Sequence, residues 1–235
     1  KSFGLDPKKD MWRLPAKYVG AYAEQDARMT LKLWNRFEPE LASQDLKTIF
    51  DLETSLIPLM IDMRERGVKV DVDGAERAKK KLMGMKKDIN ADIKRDLGFN
   101  VEPWVATSVA KAFDYYKIPY NKTETSNKPS FTKAYLQGCP HPIAAKILRL
   151  RELDKAHNTF IDSILRHEHK GRIHCEFHQL RSDDGGTVTG RFSSSNPNLQ
   201  QIPAREPEIK SLIRGLFVPE DGHKWGSFAY SSQEP

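Results

Sequence analysis

Apolar residues recur at helical spacing along the first part of the chain. Val19, Ala23, Ala27, Leu31 and Trp34 fall three or four apart, which predicts a helix over 16–44 with Pro15 where a helix can begin. A second helix is predicted over 46–66, with Leu52, Leu56, Leu59, Met60 and Met63 on one side. Pro58 within it predicts a kink, and Gly67 lies just past its end, where a left-handed cap suits glycine. The period then changes. Val68 to Val72 alternates, as a short half-buried strand does. Asp73 is the expected N-cap of a third helix, with Glu76 completing a capping box. Ala75, Ala78, Leu82, Met85, Ile89, Ile93 and Leu97 form its apolar stripe. Residues 119–130 are polar and aperiodic, which predicts a loop. Helix returns over 141–166. Ile173, Cys175 and Phe177 alternate with His174, Glu176 and His178, as in a strand. Residues 181–211 read as extended and turn-filled, and Trp225–Tyr230 as a strand entering a core. No internal repeat is visible.

Composition narrows the class. The 235 residues suffice for one or two compact domains, and 38% hydrophobic with 30% charged residues suits a folded protein with much solvated surface. No apolar run reaches the roughly 18 residues that read as a membrane span. The first residues lack the apolar core of a secretion signal and read as internal sequence. Cys139 and Cys175 alone argue for a reducing compartment and against a disulfide framework. The net charge of +6 permits polyanion binding through counterion release, but its distribution matters more than its sum. Lys79, Lys80, Lys81, Lys86 and Lys87 lie off the apolar stripe of the third helix. They read either as a solvated face or as a rail for phosphates.

The most specific segment is Thr189-Gly-Arg-Phe-Ser-Ser-Ser-Asn-Pro-Asn-Leu-Gln-Gln-Ile-Pro203. It offers an arginine, asparagines, glutamines and hydroxyls on a loop-prone backbone. Such donors reach the minor-groove acceptors common to every Watson–Crick pair, so they test pair geometry without reading sequence. The alternative is an ordinary polar loop. The segment resembles the T-x-T-G-R-L/F-S-S-x-x-P-N-L-Q-N-I-P element of family A (DNA polymerase I type) DNA polymerases, with Gln201 in place of the usual Asn. The resemblance implies that Arg191 lies in the minor groove at the primer terminus, that Ser193, Asn198 and Gln200 contact DNA, and that Arg205 lies near the incoming nucleotide.

Neighbouring segments carry the same resemblance. Gly171-Arg-Ile-His-Cys-Glu-Phe-His-Gln179 is similar to a family strand, followed here by a longer turn at Arg181–Gly186. Arg151-Glu-Leu-Asp-Lys155 with Asn158-Thr-Phe160 resembles the thumb helix that grips duplex phosphates. That likeness assigns DNA contacts to Arg151, Lys155, Asn158 and Thr159, the first two sharing a helical face. Phe99-Asn100 and Pro103 match the thumb-tip element only loosely. Gly67-Val-Lys-Val-Asp71 is similar to the junction between exonuclease and thumb, with Glu65 one position out of register. Tyr22-Ala-Glu-Gln-Asp26 resembles the third exonuclease motif, Y-x-x-x-D. Asp26 is there a catalytic metal ligand and Tyr22 orients the attacking water. The partner carboxylates of that motif are not in the chain, so no proofreading is expected from it. His167, His169, His174 and His178 do not form a zinc pattern, since a closed site needs four convergent ligands.

Trp225 to Pro235 resembles motif A, D-Y-S-Q-x-E-L/P-R. Glu234 matches the glutamate that excludes ribonucleotides, a steric gate. Ala229 stands where the family has its metal-binding aspartate, and Ser232 replaces the usual Gln. The expected fold is α+β, mainly helical. It comprises the end of a 3′–5′ exonuclease-like domain over 1–44, a thumb over 45–170 and the first part of a palm over 171–235. The expected function is a portion of a DNA-directed DNA polymerase, a nucleotidyltransferase of replication or repair, which uses magnesium (Mg2+), primer–template DNA and a dNTP when whole. The chain alone is expected to grip DNA weakly, to bind no metal tightly and not to catalyse. The alternative is a non-catalytic DNA-binding or assembly subunit of a split polymerase, completed by a second polypeptide carrying fingers and remaining palm. Either would work in a bacterial cytoplasm or a phage-infected host, away from membranes. The longer turn and the Gln-Glu-Pro ending suggest a phage-type member.

Overall fold

The computed structural model describes residues 6, 9–180, 186–204 and 206–231. The chain divides into two compact units, 1–60 and 61–235. In the first, a 3-10 turn (Met11–Arg13) precedes α1 (Ala16–Ser43), and α2 (Lys47–Arg66) starts after a tight reversal at Asp45, its last six residues belonging to the second unit. The rings of Trp34 and Phe50 lie 5.7 Å apart across that reversal. Both helices match the sequence reading to within a residue, yet neither holds a buried residue.

The second unit is organised by α3 (Val72–Leu97). Its N-terminal half contributes Ala75, Ala78 and Leu82 to one apolar core. The C-terminal half contributes Ile93 and Leu97 to another. The predicted stripe therefore serves two cores in sequence, because a helix this long outreaches a single one. The second core is closed by α4 (Ala106–Tyr115), α5 (Lys133–Gly138) and α6 (Pro142–Asp154). It centres on Phe113, fully buried 4.8 Å from the ring of Phe131. The first core takes Leu153 of α6, residues of a π-turn (Lys155–Ile161), Ile164 of α7 (Asp162–His167) and Ile209 and Ile213 of α8 (Pro207–Arg214).

Strands are few and short. Val68–Lys69 (β1) pairs with Arg172–Ile173, which pairs with Glu168–His169 in a three-stranded antiparallel sheet. Val70 bridges to Phe217 beyond it. Glu176–His178 pairs with Ser193–Ser195. Gly67 is at φ +60, and a Cβ there would lie 2.7 Å from the Ile173 carbonyl oxygen. Only glycine suits both the conformation and the close approach.

Four local expectations are corrected. The cap of α3 is Asp71, whose Oδ1 accepts from Gly74 N at 2.8 Å, rather than Asp73. The predicted loop over 119–130 contains a small hairpin, Asn121–Lys122 with Pro129–Ser130. The stretch read as extended to 211 includes α8, started by Pro207 and capped by Glu206 Oε2 accepting from Ile209 N at 2.6 Å. Residues 225–230 form no strand: Phe228 is 96% exposed and Tyr230 88%. A strand needs a neighbour to take its backbone bonds, and no described strand lies beside this segment.

The lysine face of α3 takes neither reading whole. Lys79 pairs with Asp162 at 2.8 Å, Lys81 with Glu208 at 3.3 Å and Lys86 with Asp154. These lysines tie α3 to α7, α8 and the end of α6. Lys79 holds the Asp162 carboxyl below its ordinary range. Lys146 does the same to Asp96, and Arg172 to Glu220. A carboxylate with a lowered folded pKa stabilises above its unfolded value and loses that contribution as pH falls through the folded one. Melting temperature should therefore drop through the acid range below the ordinary carboxylate pKa. The drop should be shallower in Asp162→Asn and Glu220→Gln, read by calorimetry against pH. Equal slopes in wild type and variants would contradict these pairings.

Candidate nucleic-acid interface

A π-turn inserts an extra residue per turn into an otherwise α-helical run, and such insertions are frequent at functional sites. Here it spans Lys155–Ile161, between α6 and α7. Ala156, Phe160 and Ile161 anchor it in the core. Lys155, Asn158 and Thr159 are left exposed. The second component is the segment 196–204. Asn198 Oδ1 accepts from Gln200 N at 3.0 Å and starts a 3-10 turn, Leu199–Gln201. Gln200 Nε2 donates to Phe192 O at 3.1 Å. Buried Ser194 ties the segment down, donating to Pro197 O and accepting from Leu199 N.

The two components meet in adjoining recesses. One, about 620 Å³, is lined by Lys155, Phe160, Gln200, Gln201 and Ile202, with Lys133 at its edge. The other, about 170 Å³, is lined by Thr159, Phe160, Asn198 and Leu199. Four residues singled out in the sequence thus come from segments some forty residues apart onto one face: Lys155, Thr159, Asn198 and Gln200. Glu152 and Glu206 border the larger recess, but Arg149 pairs with each, at 3.4 and 3.6 Å. Their charge is therefore partly offset where a polyanion would approach.

Other candidates lie differently. Arg151 does not present its charge outward beside Lys155. Its Nε donates to Pro103 O at 2.7 Å and its Nη1 to Phe131 O at 2.6 Å, with the guanidinium 5.2 Å from the Trp104 ring centre. Burial lowers its pKa, though arginine remains charged. The hydroxyl of Ser193, expected to contact DNA, is enclosed and has no hydrogen-bond partner among the described residues. Arg191 is exposed, beside Gly190 at φ +75, and its carbonyl accepts from Thr187 Oγ1 at 2.7 Å. Arg205, Ser232 and Glu234 lie outside the described residues, as does most of the longer turn. Lys133 at the first turn of α5 and His157 within the π-turn were not singled out. Neither belongs to a recognisable spacing; packing brings Lys133 to the larger recess, and His157 sits beside Asn158.

The carboxylate sites are sparse. Tyr22 and Asp26 share a face of α1, Tyr22 at 55% exposure. No group of three or more His, Cys, Asp or Glu is gathered to hold a metal among the described residues. Ala229 is exposed and carries a methyl group, which cannot ligate. Asp221 pairs with Lys69 at 3.0 Å. No catalytic step is assigned to these residues. No helix among them is long and apolar enough to cross a membrane.

Comparisons with known proteins place the chain in a family. The DNA polymerase family A model matches residues 73–235. A DNA-directed DNA polymerase of Pseudomonas phage M6 is 38% identical over 99% of this chain and 36% of its own length. The thermostable DNA polymerase I of Thermus aquaticus is 33% identical over 92% of this chain and 26% of its own. The chain thus spans little more than a third of the phage relative. The POL domain of Pol1 from M. smegmatis, solved in complex with DNA primer-template and dNTP, has the same fold. It superposes with a TM-score of 0.70 at 24% identity, over 83% of this chain and 34% of that one. With the family model covering well over half its length, the chain belongs to DNA polymerase family A.

Proposed function

We propose that this chain is the DNA-gripping portion of a DNA-directed DNA polymerase. It would comprise the end of an exonuclease-like domain (1–44), a thumb (45–170) and the start of a palm (171–235). The whole protein would carry out template-directed nucleotidyl transfer in replication or repair, in a bacterial or phage-infected cytoplasm. The observation that carries the reading is the convergence of Lys155 and Thr159 with Asn198 and Gln200 on one face. Lysine supplies charge to phosphates, while the amides and Arg191 supply donors to minor-groove acceptors. Arg205 near the nucleotide and Glu234 as steric gate belong to the same proposal. Alanine at 229, and the lack of any group of three or more His, Cys, Asp or Glu gathered to hold a metal among the described residues, support the reading that the chain by itself neither polymerises nor proofreads.

Fluorescence anisotropy on labelled primer–template DNA tests this. Affinity should fall about a hundredfold between 50 and 200 mM salt if about four phosphates are contacted. Lys155→Ala should reduce the salt slope by about one, and Arg191→Ala should weaken binding. Salt-independent binding, unaffected variants, or primer extension by the chain alone would contradict the proposal. The split-polymerase reading is favoured by the exposed aromatics Trp225, Phe228 and Tyr230. It requires a palm-and-fingers polypeptide that binds this chain and quenches or shifts its tryptophan fluorescence, a change that Trp225→Phe should reduce.

A further inference from the structure

His157 lies in the π-turn immediately before Asn158. Its Nδ1 is 2.5 Å from Asn158 Oδ1. An amide oxygen can only accept, so the imidazole donates and Nδ1 carries the proton. The same nitrogen lies 3.8 Å from Asp162 Oδ2, which favours an N–H on that side of the ring. Asp162 is in turn held by Lys79 of α3. His157 Nε2 is buried without a hydrogen-bond partner, where an N–H lacking an acceptor would be costly. The His157 side chain is 13% exposed, whereas Asn158 faces solvent.

These contacts fix one orientation of the Asn158 carboxamide. With Oδ1 tied back to the imidazole, the NH2 group is the part left to face outward. We propose that His157 is a positioning residue for DNA binding: it locks Asn158 so that an N–H donor, not the amide oxygen, meets the acceptor oxygens of a duplex lying on the π-turn. The proposal rests on the nucleic-acid reading above. Duplex DNA presents acceptors along its backbone and minor groove. A freely rotating carboxamide would also offer its oxygen, which phosphate repels.

The test is anisotropy of the full 235-residue chain on primer–template DNA, with Lys155→Ala, Asn158→Ala, His157→Asn, His157→Gln and the double variant His157→Gln/Asn158→Ala. An asparagine at 157 superposes its amide nitrogen on Nδ1, whereas a glutamine places it near Nε2. Asn158→Ala and His157→Gln should each weaken binding about fivefold, the scale of one hydrogen bond. His157→Asn should keep wild-type affinity, and the double variant should bind no worse than Asn158→Ala. Melting curves establish that each variant is folded. If His157→Gln unfolds, tight binding by His157→Asn beside weak binding by Asn158→Ala is still required. The positioning role is overturned if His157→Gln binds like wild type, if His157→Asn is as weak as His157→Gln, if Asn158→Ala is silent, or if the effects add. A silent Lys155→Ala would sink the nucleic-acid reading itself. A weakened Lys155→Ala beside a silent His157→Gln removes only the positioning role.

Discussion

Arg151→Ala should destabilise the second unit by about 2–4 kcal/mol, since charge-assisted bonds to two carbonyls are lost and the acceptors are left unsatisfied. The guanidinium joins the loop after α3, through Pro103 O, to the segment leading into α5, through Phe131 O. It also lies against Trp104, whose Nε1 donates to Asp154 Oδ2 at 3.0 Å. One side chain thus holds three segments that lack a shared helix or sheet. Arg151→Lys should recover little, because an ammonium cannot reproduce the planar fork. Thermal or urea unfolding reads the effect. DNA affinity at a temperature where the variant is folded should change much less than in Lys155→Ala. A stable Arg151→Ala with strongly weakened DNA binding would reverse this assignment and restore the outward-facing role that the sequence suggests.

Phe113→Ala carries the largest expected loss, about 3–5 kcal/mol, from lost transfer energy and the cavity left behind. Phe113 is fully buried among Phe131, Tyr135 and Tyr120, at 4.8, 6.0 and 6.4 Å between ring centres. Rings at such separations favour tilted and edge-on packing that a methyl group cannot replace. For a domain of this size the loss corresponds to a fall in melting temperature of roughly 10 °C. The core holding Phe113 is not the one beneath the π-turn, so binding by the folded variant should be near wild type. A melting temperature unchanged by the substitution would mean that the second core is not packed as described.

The two predictions concern neighbouring parts of the fold with unequal visibility in the sequence. The α3 stripe was legible because Ala75, Ala78, Leu82, Ile93 and Leu97 follow the helical period, and all five are buried. The family segment around Arg191 was legible because its residue types and order are specific. It led correctly to the family. Arg151 was half legible. Its spacing from Lys155 predicts a shared face on an ideal helix, but the carbonyls that capture it come from residues 103 and 131, distant in sequence. Lys79, Lys81 and Lys86 were ambiguous for the same reason, since their carboxylate partners lie on other elements. Helix α8 did leave signals, Pro207 at its start and Gly215 after its end, but they were outweighed by the turn-forming residues before it. The strand expected at 225–230 failed because apolar content alone does not supply a partner strand.

Hydrogen–deuterium exchange of the chain with and without primer–template DNA tests the central claim most directly. The account predicts slowed exchange on DNA binding in peptides covering Lys155–Ile161 and residues 191–204, with α1 unchanged. DNA binding that protects α1 or the α4–α5 region instead, and leaves the π-turn and the 191–204 segment exchanging at their free rates, would contradict it.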